Sequence, residues 1–530
     1  MNYLGIDFGT SYTKAAAYST EDDNPVLIEL SPEQHDFGFE KSMYFMPTAV
    51  SANKYGKDFI VGVKAINLKL DSDRVFFENF KPELDHEEEY AMKSPDITYM
   101  GLVAEILKEV KKNAEKIKDH FDRIVITVPA STVRGGRRWN LMMRAAQNVF
   151  DTNNIDLIFE PEAAGFALLN KQIKDSSMDG KYFLIYDFGG GTFDATVFTV
   201  EDEQIFVIGE SVGSDDEKRW GGMYLDNLIR QEYLKNGYTI REKVSKLRSS
   251  ELSLSEKGEI DEILRVEPVK AKIKLSNSPQ FQFSLLDYTI TRKDFEGLAD
   301  PMIEETIGCC TKLLNSKVED GIDISFEDLE TVFLVGGSSK IPLISKKWKE
   351  KTSTKMQMSN MEVVAEGAAL YHSIKINLER MVELGMKRLS NKQYDKAALY
   401  FRNSESQKGY YLLGLLYFNG KLSNKPAYKK AITCFERSQT PEATLMLAIM
   451  SFSGLGMKKN DKKANDFLDK SCNNNVSELL RRAIKGEHVN YCEIYGYNPL
   501  VEFDREMKDI DEHVEPCNPE LKYTDIISLI

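Results

Sequence analysis

The sequence predicts two related α/β lobes followed by an all-α domain of helical repeats. One unit, a buried strand followed by a glycine-rich turn and a hairpin partner, occurs twice, in residues 3–18 and 182–200. Towards the C-terminus the strand pattern ends, and small and aromatic residues recur at a spacing of about 34, which is typical of paired-helix repeats. We therefore predict an α/β region at 1–376, helical repeats at 377–500 and an acidic tail at 501–530.

The α/β region divides into lobes at roughly 1–180 and 181–376. The predicted strands are 3–8, 12–18, 124–129, 182–186, 193–200 and 332–335. Apolar residues at helical spacing predict helices over 102–117, around 134–149, over 292–315 and from Pro342 onward. Ligands of α/β folds bind at the carboxyl ends of the strands, where both glycine-rich turns lie. We expect these turns to face a common cleft.

The composition excludes several classes of protein. The 530 residues are 42% hydrophobic and 29% charged, which is typical of globular chains and excludes disorder for most of the length. A net charge of −14 argues against a nucleic-acid partner, which needs a basic surface. The six cysteines contain no CxxC pair, and no apolar run reaches the length of a membrane span. We expect a cytoplasmic protein with no membrane partner.

Two glycine-rich turns carry the chemistry of a phosphate site. The first is Asp7-Phe8-Gly9-Thr10-Ser11-Tyr12 and the second is Asp187-Phe188-Gly189-Gly190-Gly191-Thr192-Phe193-Asp194. Glycine lets backbone N–H groups approach an anion closely, and the hydroxyl groups add donors. The aspartates would repel a phosphate unless a cation lay between them, which indicates Mg²⁺ held through water. A third turn, Gly336-Gly337-Ser338-Ser339-Lys340, is flat enough to take a base or ribose.

These segments resemble a known superfamily. GIDFGTSY, YDFGGGTFD and VFLVGGSSKIP are similar to the two phosphate motifs and the adenosine motif of the actin, sugar-kinase and heat-shock ATPases. Glu160-Pro161-Glu162-Ala163-Ala164-Gly165 and Glu366-Gly367-Ala368-Ala369 resemble the two connecting motifs of the 70-kDa heat-shock protein family. Trp220-Gly221-Gly222, followed by Asp226-Asn227, is also similar to that family. The resemblance implies a bilobed actin-like fold with ribonuclease H-like lobes, a slow ATP hydrolase activity, and ATP or ADP with Mg²⁺ as cofactors, with K⁺ as a further candidate ion.

The resemblance also implies roles for individual residues. Metal roles fall to Asp7, Asp187 and Asp194, and catalytic roles to Lys64, Asp187 and Glu160. The nucleotide-binding positions are Gly9, Thr10, Ser11, Tyr12, Gly189, Gly190, Gly191, Thr192, Lys272, Ser276, Gly336, Gly337, Ser338 and Lys340. Pro129 and Arg137 match a pair that relays the nucleotide state between the lobes. Ile273 and Lys340 depart from the family, because arginines commonly stand at both positions.

The larger departure lies after residue 376. The family's leucine-rich linker and β-sandwich peptide-binding domain are missing, and the segments LGLLYFNG and KKAITCFERS resemble tetratricopeptide and Sel-one-like repeats. Such stacks bind proteins on a concave surface, so a protein partner is expected at 377–500. This segment has 20 Lys and Arg against 12 Asp and Glu, whereas residues 501–530 have three against nine. The acidic tail, the acidic lobes or an acidic partner could therefore dock on the repeats.

The predicted function is a chaperone-like ATPase that couples lobe closure to partner binding. Three alternatives remain at this stage: a small-molecule kinase of the same superfamily, a nucleotide-sensing scaffold that hydrolyses little ATP, and an actin-like filament. The kinase would need an acceptor pocket with its own base, for which the sequence offers no separate candidate.

Overall fold

The computed structural model describes residues 1–487, apart from 23, 32–34, 37–40, 70, 86–95, 171–175, 209–211, 214–219, 248–251, 316–323, 375–377, 423–424 and 472–474. The tail predicted at 501–530 lies outside these described residues. No helix among them is both long enough and apolar enough to cross a membrane.

Strands and helices alternate in the described chain up to residue 374, and helices alone are described after it. The strands are β1 (Asn2–Phe8), β2 (Tyr12–Ser19), β3 (Val26–Leu27), β4 (His35–Asp36), β5 (Lys41–Ser42), β6 (Met46–Pro47), β7 (Ala49–Asn53), β8 (Ile60–Val61), β9 (Arg74–Glu78), β10 (Arg123–Val128), β11 (Ile155–Phe159), β12 (Tyr182–Phe188), β13 (Phe193–Glu201), β14 (Gln204–Val207), β15 (Val212–Gly213), β16 (Gln280–Gln282), β17 (Thr289–Thr291), β18 (Leu329–Val335) and β19 (Lys355–Met358).

The helices are α1 (Val63–Asn67), α2 (Tyr99–Ala114), α3 (Arg137–Phe150), α4 (Glu160–Asn170), α5 (Gly222–Asn236), α6 (Tyr238–Lys246), α7 (Leu254–Asn277), α8 (Arg292–Asn315), α9 (Pro342–Lys351), α10 (Val363–Ile374), α11 (Leu378–Ser390), α12 (Tyr394–Asn403), α13 (Gln407–Phe418), α14 (Tyr428–Ser438), α15 (Pro441–Ser453), α16 (Asp461–Leu468) and α17 (Asn475–Ile484).

Two mixed sheets repeat one design. In the first, β1 pairs antiparallel with β2 and parallel with β10, in the order β11-β10-β1-β2-β3. In the second, β12 pairs antiparallel with β13 and parallel with β18, in the order β14-β13-β12-β18-β19. Each hairpin turns at its glycine-rich segment, so the two phosphate-type turns occupy equivalent places. The structure thus contains the duplicated strand–turn–strand unit that the sequence predicts.

Helices α4 and α10 cross tightly between the sheets. A Cβ built on Gly367 of α10 would overlap the carbonyl oxygen of Ala163 of α4. A Cβ on Gly165 would likewise overlap the ring of Phe198 of β13. Both helices share a buried core with strands of both sheets, including Val125 and Phe333. Small side chains are required here because close helix packing leaves no room for a larger one.

The chain divides into two compact units. One spans residues 1–316 and 323–375, and the other contains the helices from α11 onward. In the second unit each helix from α11 to α17 packs on the next one in the chain. Gly414 of α13 faces the ring of Phe435, and Gly385 of α11 faces the ring of Phe401. The two phenylalanines lie 34 residues apart in the sequence. This is the packing expected of paired helices, while the type of repeat and the domain boundaries stay predictions.

Candidate functional site

A cavity of about 1190 Å³ lies in the α/β unit, and residues of both sheets and of α7 line it. The predicted nucleotide-binding residues reach it from distant parts of the chain. Those in its wall are Gly9, Thr10, Ser11, Tyr12, Gly189, Gly190, Gly191, Thr192, Lys272, Ser276, Gly336, Gly337, Ser338 and Lys340. The structure therefore gathers all of the positions predicted for nucleotide contact around one space.

The two phosphate-type turns lie against each other in the cavity wall. A Cβ built on Gly190 would lie 2.8 Å from Ser11 Oγ, and one built on Gly191 would overlap the side chain of Thr10. A larger residue at either place would displace the Thr10 or Ser11 side chain of the opposite turn. The glycines thus bring backbone N–H groups of one turn next to hydroxyl groups of the other, which is an arrangement suited to a chain of phosphates.

The third turn joins the same wall. Gly336 has φ +82°, in the left-handed region, and a Cβ there would lie 2.7 Å from Asp187 Oδ1. The Ser338 hydroxyl donates to the Gly189 carbonyl oxygen at 3.0 Å, and the Gly222 N–H donates to the same oxygen at 3.0 Å. The serine and Gly222 therefore hold the second phosphate-type turn in place, rather than leaving their polar groups for a ligand.

Four carboxylates lie around the two phosphate-type turns. Asp7, Glu160 and Asp187 line the cavity, and Asp194 is buried beside it, where it accepts the Ala130 N–H at 2.8 Å. Burial, followed by repulsion from Glu160, Asp194 and Asp7, raises the pKa of Asp187 well above its usual range. Burial and repulsion from Glu160 raise the pKa of Asp194 to about 7. This crowding of like charges is relieved by a cation.

Within the described residues, no three His, Cys, Asp or Glu side chains are gathered closely enough to hold a metal ion directly. Mg²⁺ usually keeps several of its waters, so carboxylates that line a phosphate site can hold it through its water shell. The residues present thus fit the Mg²⁺ that the sequence predicts. Asp7, Asp187 and Asp194 would orient its waters.

Lys81, rather than the predicted Lys64, is the lysine buried next to Glu160. Lys64 lies on an exposed face of the short helix α1, and neither lysine is in the cavity wall. Lys81 is 3% exposed, forms an ion pair with Glu160, and places its ammonium group 6.0 Å from the centre of the Phe8 ring. The sequence contains a signal for it, because Lys81 follows the aromatic run VFFENF and precedes a proline, whereas a surface lysine rarely sits in such apolar company.

Lys14 is a further charged residue of the cavity wall, and no sequence motif predicted its place there. This residue of β2 lines the cavity, and its Nζ lies 2.6 Å from Asp7 Oδ2. Burial by itself would lower its pKa, but the contact with Asp7 and the charges of Asp187 and Glu362 outweigh that effect and raise it. Lys14 is therefore a buried ammonium ion within the group of carboxylates.

Residues of α7 form another part of the cavity wall. Lys272, predicted to contact the nucleotide, donates to the Gly222 carbonyl oxygen at 3.0 Å and pairs with Asp226 at 2.8 Å. Ser276 donates to the carbonyl oxygen of Lys272 in its own helix at 3.3 Å. Ile273, where the family has an arginine, lies in the wall. A nucleoside placed here would meet aliphatic surface and a lysine already held by a carboxylate.

A family model described as Hsp70 protein matches residues 79–388. The chain belongs to the Hsp70 family. The match begins after the first phosphate-type turn, so that turn is supported by the fold and by its place in the cavity wall. The resemblance predicted from the motifs is confirmed at the level of the family.

Individual relatives match a larger share of the chain than the family model does. Chaperone protein HscA of Buchnera aphidicola subsp. Baizongia pistaciae is 25% identical over 395 residues, which cover 71% of this chain and 70% of the relative. Chaperone protein DnaK of Elusimicrobium minutum is 26% identical, over 70% of this chain and 57% of the relative. The DnaK of Methanothermobacter thermautotrophicus is 26% identical, over 69% and 59%. The chain thus spans only part of each relative.

Of the two residues proposed as a relay pair in this Hsp70-family chain, Pro129 is buried and Arg137 is exposed. Pro129 is buried directly after β10, next to the Ala130 N–H that contacts Asp194. Arg137 is exposed at the start of α3 and is not in the cavity wall, whereas Arg138 is 4% exposed. Arg138 forms an ion pair with Asp85 and donates to Thr132 Oγ1 at 3.3 Å. The inward-facing arginine is therefore Arg138, one residue later than predicted, because the helix turns its neighbour to solvent.

Four charged residues link the first lobe to α7 above the cavity of the Hsp70-like unit. Lys69 approaches Asp261 at 2.5 Å, and Arg265 approaches Glu78 at 3.3 Å. Each pair joins a residue near β9 to one on α7, and all four line the cavity. Their partial exposure weakens them individually, but together they connect the two walls between which a ligand would lie.

Proposed function

We propose that this protein is a slow, Mg²⁺-dependent ATPase of the chaperone type, and that it couples the state of its nucleotide site to a protein partner bound by residues 377–500. The observation that supports this most strongly is that the turns of two equivalent hairpins meet in the wall of one cavity, with four carboxylates around them. Family membership supports the same conclusion. The chain covers only part of each relative, and its helical region begins at α11. If this region stands in place of the relatives' C-terminal parts, the protein partners of this chain differ from theirs.

In this proposal ATP lies between the lobes with its phosphates between the two turns. Backbone N–H groups at Gly190 and Gly191 and the hydroxyl groups of Thr10 and Ser11 hold the phosphate oxygens. Mg²⁺, when bound, neutralises phosphate charge, and Asp7, Asp187 and Asp194 hold its waters. The nucleoside lies against α7 and the third turn, near Ile273.

Hydrolysis depends on charge held in fixed positions. Asp187 lies at the end of β12 beside the phosphate turn, where it can accept a hydrogen bond from the attacking water. Glu160 shares this end of the cavity, and Lys81 holds it by the ion pair described above. Lys81 also keeps a positive charge near the place where negative charge develops on the transferred phosphate. Lys81 is accordingly proposed as a positioning residue.

The same carboxylate connects the site to the rest of the chain. Glu160 is the first residue of α4, and Ala163 of α4 abuts Gly367 of α10. After α10 the chain continues into the helical region. A shift of Glu160 with the nucleotide state would therefore move the crossing of α4 and α10, since packed helices slide rather than deform. This is the proposed route from ATP to the partner-binding repeats.

Single-turnover hydrolysis of ATP tests the proposal and distinguishes the two lysines. K81M should lower the rate about 100-fold, in the range seen when one charge-stabilising group is lost, while ADP affinity stays within about threefold. K64A should hydrolyse ATP at the wild-type rate. K81R should recover part of the loss. Equal rates for wild type and K81M, or a loss confined to K64A, would remove Lys81 from the site.

A nucleotide-sensing scaffold is the second candidate, and the pairing of Lys272 with Asp226 favours it. If the lysine is unavailable to the nucleoside, ATP binds more weakly and its occupancy reports the nucleotide level. Wild-type protein that binds ATP in a titration but shows no turnover over hours would support the scaffold. ATP consumption without any added acceptor would argue against a small-molecule kinase.

A further inference from the structure

A buried lysine, Lys14, lies beside a carboxylate of the first phosphate-type turn. Lys14 lies directly opposite Asp7 in the β1–β2 pair, so both side chains leave the same face of the sheet. Its Nζ is 2.6 Å from Asp7 Oδ2 and donates to the Met361 carbonyl oxygen at 2.8 Å. The side chain is 11% exposed. The ammonium group is thus held in one place by two acceptors from different parts of the fold.

The charges around Lys14 explain why a cation is needed there. Asp7, Asp187 and Glu362 all act on it electrostatically. Lys81 serves a different carboxylate, Glu160. Without Lys14, Asp7 would be a buried carboxylate facing phosphates of the same sign, which is costly in a site of low dielectric constant. Lys14 therefore neutralises Asp7, and Lys81 neutralises Glu160.

An ammonium group has three N–H donors, and the described contacts use two of them. Lys14 lines the same cavity as Gly9 and Thr10, and its ammonium group also lies 5.9 Å from the centre of the Phe45 ring. The third donor is therefore available to a phosphate oxygen in the cavity. A compact charge with three donors is also the property by which lysine binds phosphates in proteins.

We propose that Lys14 is a built-in monovalent cation of the phosphate site, and that nucleotide binding by this protein therefore does not require K⁺ or Na⁺. The proposal rests on the proposed function, because it takes the cavity to be the nucleotide site. It replaces the expectation that K⁺ is a further cofactor. The fixed ammonium group bridges Asp7 and the nucleotide phosphates, as a bound alkali ion could.

The test is a calorimetric titration of the full-length protein with ADP at constant Mg²⁺, in KCl and in choline chloride of equal ionic strength. Wild-type affinity should differ less than about threefold between the salts. K14M, which keeps the aliphatic stem but removes the charge, should bind at least about tenfold more weakly in choline, the loss expected for one charged hydrogen bond, and KCl should restore part of it. K57M, at an exposed turn of the same lobe, is the control and should match wild type.

Three results would overturn the inference. Wild-type binding that weakens tenfold or more without K⁺ would show that a free ion is still needed. K14M binding equal to wild type in choline would show that the charge is not used. Should K14M fail to fold by circular dichroism, the wild-type comparison of the two salts still decides. Absence of nucleotide binding by wild type in both salts would instead overturn the proposed function itself, and the role of Lys14 with it.

Discussion

Replacing Asp194 by asparagine should stabilise the nucleotide-free protein, and the gain should grow as the pH rises from about 4 to 7. Asp194 is 1% exposed, and burial with repulsion from Glu160 raises its pKa from 3.8 to about 7. Between these values the folded protein binds more protons than the unfolded chain, so its unfolding free energy falls as the pH rises. Below the interval both states are protonated, and above it both are ionised. The cost of the buried charge is therefore complete above pH 7.

The size of the change in unfolding free energy follows from the difference between the two pKa values of Asp194. Each pKa unit corresponds to about 1.4 kcal/mol, so the full cost of the Asp194 charge is about 4 kcal/mol. Asparagine keeps an oxygen that can accept the Ala130 N–H and carries no charge, but burial of its amide reduces the gain. We expect a net gain of about 2–4 kcal/mol at pH 8 and close to none at pH 4.

Thermal unfolding of wild type and D194N, measured by circular dichroism at several pH values between 4 and 8, checks this. The difference in Tm should increase by a few degrees up to pH 7 and then stay level. Added Mg²⁺ and ADP should shrink it, because a bound cation relieves the same repulsion. A Tm difference that does not vary with pH would refute the reasoning, since a change in packing alone has no reason to titrate.

Two further substitutions test the packing on which the proposed coupling depends. G367A should destabilise the α/β unit by about 1–3 kcal/mol, because its methyl group would meet the Ala163 carbonyl oxygen, whereas G308A, on a helix face with no atom within 4 Å, should leave the Tm unchanged or raised. Equal melting curves for these two variants would contradict the tight crossing. F435A should cost about 3–5 kcal/mol in the helical unit, because the Phe435 ring fills the space beside Gly414, while T433A, exposed on the same helix, should unfold like wild type.

Much of the fold could be predicted from local patterns. The repeated strand–turn–strand unit appears in the sequence because buried strands are continuous apolar runs and their turns need glycine. Phe401 and Phe435 recur at a spacing of 34, which predicts helical repeats because equivalent helices bury the same kind of side chain. The glycines of the site were also predictable, since three in succession have a high entropic cost that only a close approach of backbone compensates.

The charged residues of the site were harder to predict. The short motif around Lys64 predicted it as the catalytic lysine, but Lys64 is exposed and Lys81 is buried beside Glu160. Arg137 and Arg138 are neighbours, and the direction of one helix decides which of them faces inward. A charged side chain has no characteristic periodicity, so its role depends on which carboxylate the fold brings to it.

The sequence by itself determined that this protein has a duplicated α/β unit with phosphate-binding turns and a helical region after it. These features follow from local chemistry: strand hydrophobicity, glycine conformation and helical spacing. Only the tertiary structure decided how the acidic cluster is balanced. Lys14 meets Asp7 across a hairpin, and Lys81 reaches Glu160 from 79 positions away along the chain. Such ion pairs form because folding removes both groups from water at the same point, which no local pattern records.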